Sequence, residues 1–105
     1  MNAKVKPPVL KMNGHTYEPV RPKIKNWYDF AVFNDGIENM GVPEYIEGTA
    51  KLIASMYKGV TAQDVMTNFD VARMKPFYFK LYGYIVQLTN ESMDAGPNGA
   101  TAADQ

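Results

Sequence analysis

The stretch "VARMKPFYFKLYGYIVQLTN", Val71–Asn90, decides the fold class. At about 100° per residue, Phe77, Leu81, Tyr84, Ile85 and Leu88 fall in one sector of a helix. Tyr78, Phe79, Tyr82 and Val86 carry the apolar surface further round, and only Lys80, Gly83, Gln87 and Asn90 form a polar strip. The apolar arc spans roughly 200°, about twice what one core-facing stripe needs. Two readings follow. Either the helix is central, covered by the rest of the chain, or Phe79, Tyr82 and Val86 face a second copy or another protein. Tyrosine suits the second, because its ring buries area while the hydroxyl stays wet. Pro76 either marks the start of the helix proper or kinks it, since proline removes one backbone donor.

Working towards the N-terminus, Thr61 and Asp64 have the spacing of a capping box, opening a helix with Val65, Met66 and Phe69 as its apolar contacts. Asp70 reads as a second cap, restarting a helix through Val71–Asn90. Pro43 suits the first turn of a helix over about 43–58, with Ile46, Ala50, Ile53 and Met56 or Tyr57 inward. Glu47 and Lys51 form an i,i+4 pair on that helix, and Gly59 closes it. Asn26 reads as the N-cap of an aromatic helix over about 26–35, carrying Trp27, Phe30, Ala31 and Phe33 or Asn34, with Asp29 in its first turn.

Before all of these comes "KMNGHTYEPV", Lys11–Val20. An Asn-Gly pair between two short alternating runs predicts a hairpin with a two-residue turn. Its register sets Met12 opposite His15 and Leu10 opposite Tyr17, on a face that must rest on something apolar, because a lone ribbon is marginal in water. The chain therefore reads as mainly α: a small bundle of about four helices preceded by a short N-terminal β-hairpin. Residues 9–90 form one domain, residues 1–8 a flexible lead-in ending in two prolines, and the small, polar residues 91–105 a disordered tail.

The 105 residues fit a single domain, and 46% apolar content is ordinary for a globular protein. Eleven basic residues balance eleven acidic ones, which argues against nucleic acid or a membrane surface as partner. The charge is uneven along the chain. Lys4, Lys6, Lys11, Arg21, Lys23 and Lys25 face only Glu18 in the first 25 residues, while Asp29, Asp35, Glu38, Glu44 and Glu47 dominate the next segment. Either copies attract head to tail, or both segments are solvated surface. There is no cysteine, so neither disulfide nor thiolate chemistry. No signal-peptide core and no run near ~18 apolar residues is present, so the expectation is a soluble protein made inside a cell.

No constellation of residues carries catalysis. His15, the single histidine, sits at the hairpin turn without a second ligand beside it. The carboxylates are scattered, the glycines match no phosphate-binding pattern, and the basic residues lack interleaved aromatics. The reading is of a non-enzymatic protein with no cofactor and no metal.

The order of elements resembles the small tail assembly chaperones of long-tailed (siphovirus-type) phages and prophages of Gram-positive hosts. Four pieces over about residues 9–90 carry the resemblance: the Asn13-Gly14-x-x-Tyr17 hairpin, "KNWYDF" opening the first helix, "LIASMYKGVTAQDV" joining the second helix to the third, and the approach from Asp70 to Pro76 into an apolar helix. The resemblance implies a viral assembly factor that binds the tape measure protein, keeps its apolar helices soluble and helps tail tube protein polymerise around it. It implies action in the host cytoplasm and absence from the mature virion. In many phages of this kind a ribosomal frameshift adds a second domain to some copies. This chain departs from the pattern in its seven methionines and its very aromatic fourth helix. Adaptable Met- and Tyr-rich surface suits a helical client, so Phe79, Tyr82 and Val86, with Trp27 and Phe30, are the candidate residues for binding the client or another copy. The alternative reading is a structural virion protein, a head–tail connector or tail completion protein, and a third is a small regulatory nucleic-acid binder.

Overall fold

In the computed structural model, which describes residues 6–91, the chain opens with the hairpin. Strands β1 (Leu10–Met12) and β2 (His15–Tyr17) are antiparallel and pair Leu10 with Tyr17 and Met12 with His15, the expected register. Asn13 (φ 56°) and Gly14 (φ 76°) both take the left-handed conformation that the two-residue turn requires. Leu10 and Met12 are buried and Tyr17 packs against the same core, so this six-residue ribbon stands because its apolar face is part of the interior. Packing begins one residue earlier than expected. Pro8 is fully buried and its carbonyl accepts a hydrogen bond from the Tyr57 hydroxyl at 2.6 Å, so it belongs to the domain rather than to a lead-in. Residues 1–5 lie outside the described residues.

Helix α1 (Ile24–Gly36) starts two residues before the expected position. Lys23 is extended (φ −106°, ψ 173°) directly after Pro22, and the helix turns from there. Asn26 is not the cap. It occupies the third helical position, and its Oδ1 accepts from the Lys23 backbone N–H at 2.7 Å, closing the helix start from inside. Asp29 consequently falls outside the first turn and instead pairs with Lys25 at 2.7 Å. A 3-10 turn (Ile37–Asn39) leads to helix α2 (Val42–Ser55), with Pro43 in the first turn, where its missing donor is harmless. The helix ends at Ser55 rather than near 58. Met56 and Tyr57 continue inward through turns, and Gly59 supplies the left-handed conformation (φ 82°) beyond them. Ala50, Ile53, Met56 and Tyr57 are buried as expected, whereas Ile46 is only half-buried.

Helix α3 (Ala62–Asn68) begins with the expected capping box: the Thr61 hydroxyl accepts from the Asp64 N–H and the Asp64 carboxylate accepts from the Thr61 N–H, each at 3.0 Å. Val65 is buried and Phe69 packs against the core, but Met66 is exposed, contrary to expectation, because this two-turn helix shows its core only one narrow edge. Asp70 precedes a 3-10 turn (Val71–Arg73) rather than the last α-helix itself. Helix α4 (Met74–Leu88) then places Pro76 in its first turn, so the proline belongs to the helix start and not to a kink. Glu91, expected in the tail, pairs with Arg21 at 2.7 Å; residues 92–105 lie outside the described residues.

Helix α2 packs against α1, α3 and α4, and α1 lies along α4. Trp27 sits by Ile85 and Leu88, Phe30 by Tyr82 and Tyr78, and Phe33 by Tyr78, so α1 and α4 run antiparallel. Phe30 anchors this pair, stacked at 5.7 Å on Tyr78 and 5.8 Å on Tyr82. Phe33 carries the aromatic cluster across to α2, where it stacks on Tyr45 at 6.0 Å. The result is the expected mainly α bundle of four helices with an N-terminal hairpin.

Candidate protein-binding surface

The two readings of α4 each hold for different residues. Phe77, Tyr78, Leu81, Tyr84 and Ile85 are buried within a sector of about 120°, close to an ordinary core-facing stripe. Phe79 (56% exposed) and Val86 (39%) face outward, two turns apart on one side of the helix. Gly83 lies between them in the helix middle, and a Cβ added there would meet no neighbour within 4 Å. A glycine in this position costs about 1 kcal/mol relative to alanine. It leaves a gap between two exposed apolar side chains. The Phe79 ring is held edge-on against Tyr78 at 5.3 Å and borders a shallow groove with Ile37, Met40, Val42, Tyr45 and Lys75. Val42 is itself largely exposed, so apolar surface continues from α4 onto the start of α2.

The five candidate residues do not form one patch. Phe30 is completely buried and is a core residue, because the antiparallel packing of α1 on α4 turns it onto Tyr78 and Tyr82. Tyr82 is half-buried at the edge of that stack, structural on one side and exposed on the other. Trp27 is exposed, but at the far end of the helix pair, in a hollow with Arg21, Pro22, Ile85 and Leu88. Phe79 and Val86 remain as the exposed pair on α4.

Two apolar surfaces escaped the sequence reading. One is the outer side of α1, where Ile24 (82% exposed), Tyr28 (62%) and Val32 (53%) follow each other at four-residue intervals. The i, i+4, i+8 signal is present in the sequence, but starting the helix at Asn26 cut Ile24 off from it. The other is a hollow between α2, α3 and α4, lined by Ile46, Val65, Met66, Phe69 and Met74, with the Arg73 guanidinium 5.4 Å from the Phe69 ring centre. Met66 and Val71 are exposed at its rim.

Among the described residues, no three His, Cys, Asp or Glu side chains gather so as to hold a metal ion, and His15 is exposed at the hairpin. No described helix is long and apolar enough to cross a membrane. The perturbed titrating groups inside the fold are tyrosines: burial pushes the Tyr57 phenol well up, and burial pushes Tyr78 up to about 12. Neither is exposed to a substrate, so both shifts reflect packing. What the surface offers is exposed apolar area on a helical support.

In comparison with known proteins, the chain matches no family model, no curated protein and no solved structure.

Proposed function

We propose that this protein is a non-enzymatic tail assembly chaperone of a long-tailed phage or prophage, which binds the apolar helices of a tape measure protein and assists tail tube assembly in the host cytoplasm. The observation that carries the proposal is the exposed α4 face of Phe79 and Val86, separated by Gly83 and continued by the Met40, Val42 and Tyr45 groove. A client helix with small and aliphatic residues on one stripe would lay that stripe along Phe79 and Val86, its backbone drawn close at Gly83. The phage assignment itself rests on the resemblance of the hairpin, "KNWYDF" and the α2–α3 connection to that family.

The test is co-expression with the tape measure protein of the same phage. The client should stay soluble and co-purify with the chaperone, and should precipitate when expressed alone. Mass spectrometry of purified virions separates the chaperone from a head–tail connector or completion protein: a chaperone is missing from the particle, and a structural protein is present.

A further inference from the structure

The outer side of α1 carries a charge arrangement that is wrong for a helix standing alone. Its first turn has no acidic residue and its last turn no basic one. Lys23 and Lys25 lie at the N-terminal end, where the helix dipole disfavours positive charge, and Asp35 lies in the last turn with Glu38 just beyond, where it disfavours negative charge. Among the described residues neither Asp35 nor Glu38 makes an ion pair. Between these two ends runs the exposed apolar stripe of Ile24, Tyr28 and Val32. Lys25 keeps its Asp29 partner at 2.7 Å, but both are exposed, so Lys25 is free to take a second carboxylate.

This pattern is complementary to itself. Two copies of α1 placed antiparallel about a two-fold axis at residue 30 set Tyr28 opposite Val32 of the second copy and Lys25 opposite its Asp35. The same two contacts are repeated by symmetry, as an isologous interface requires. Each basic N-terminus then meets an acidic C-terminus, and the dipoles of the two helices oppose favourably. We propose that the protein self-associates through an antiparallel α1–α1 contact, with a second copy of this chain covering the Ile24, Tyr28 and Val32 stripe. The contact lies on α1 and is independent of client binding at α4.

The test is sedimentation equilibrium of the full chain across a range of concentrations and salt. The mass is expected to rise from the 11.8 kDa monomer to twice that value, and the rise is expected to weaken with added salt. Lys25→Glu and Asp35→Lys each turn an attraction into a repulsion, and each should weaken self-association by about tenfold or more. Asp35→Lys improves the match to the helix dipole, and in Lys25→Glu the same dipole gain offsets the lost Asp29 pair, so circular dichroism should show both variants still helical. An equimolar mixture of the two variants restores both ion pairs. The carboxylate introduced on one chain faces the ammonium introduced on the other, and the unchanged Lys25 and Asp35 face each other across the second contact. The mixture should therefore recover the dimer. The inference is overturned if the wild type stays monomeric at high concentration, as it would if only a client helix covered the stripe. It is equally overturned if the single variants associate like the wild type, or if mixing them restores nothing.

Discussion

The Tyr57 hydroxyl donates to the Pro8 carbonyl at 2.6 Å, joining the end of α2 to the chain just before the hairpin, 49 residues away in sequence. Beside it, the Val20 backbone N–H donates to the Met56 carbonyl at 2.8 Å, so the chain on both sides of the hairpin is held by the two residues that follow α2. Tyr78 is as deeply buried as Tyr57, yet its hydroxyl has no hydrogen-bond partner among the described residues. The two tyrosines should therefore respond oppositely to loss of the hydroxyl. Tyr57→Phe leaves the buried Pro8 carbonyl unpaired and should cost about 1–3 kcal/mol of unfolding free energy. Tyr78→Phe removes an unpaired polar atom and should be neutral or stabilising by up to about 1 kcal/mol. Urea unfolding of the two variants, followed by circular dichroism, checks both.

The same tyrosines should make stability fall at alkaline pH. Their folded-state pKa values lie above the ordinary value near 10, so above pH 10 the unfolded chain releases protons that the native one keeps. Stability from this source is fully present below about pH 10 and is lost as pH rises from there towards the folded values. The slope should reach about 1.4 kcal/mol per pH unit for each tyrosine. Urea midpoints measured from pH 8 to pH 11.5 should be flat at first and then fall, and Tyr78→Phe should make the fall shallower.

How much of this was legible in the sequence depends on whether the signal is local. The hairpin was, because Asn13 and Gly14 adopt the one turn that fits two strands at that spacing. The α3 start was legible for the same reason, since Thr61 and Asp64 satisfy each other within four residues. The start of α1 was misplaced because an Asn side chain that binds the backbone three residues back looks the same from position 26 whether it caps or closes the turn. The candidate surface was legible only in part. Periodicity showed that α4 has more apolar surface than one face uses. It could not show that Phe30 would be spent on Tyr78 and Tyr82, leaving Phe79 and Val86 outside, since that depends on how α1 crosses α4.

Two glycines in helices should behave in opposite ways. Gly83 has open space where a Cβ would stand, so Gly83→Ala should stabilise the free protein by about 0.5–1 kcal/mol. A Cβ at Gly48 would overlap the Phe33 ring, which is itself packed on Tyr45 and Tyr78. Gly48→Ala should thus lose its propensity gain to displacement of that ring and be destabilising by about 1–3 kcal/mol. Thermal unfolding of the two alanine variants makes the comparison directly.

The capping box offers a local check on α3. Thr61→Ala removes the acceptor for the Asp64 N–H and should cost about 1 kcal/mol. A helix of seven residues has little else to hold its first turn, so hydrogen exchange should quicken at residues 62–65 before it does in α2 or α4.

Client binding at the exposed face of α4, as proposed above, is tested by removing that face. Phe79→Ser with Val86→Ser removes that face while leaving the buried Tyr78, Leu81 and Ile85 in place. The deciding measurement is co-purification of the tape measure protein with this double variant, beside the wild type, with circular dichroism confirming that both chains are folded. The folded double variant should lose its client at least about tenfold. A folded double variant that retains the tape measure protein as fully as the wild type would contradict client binding at this face.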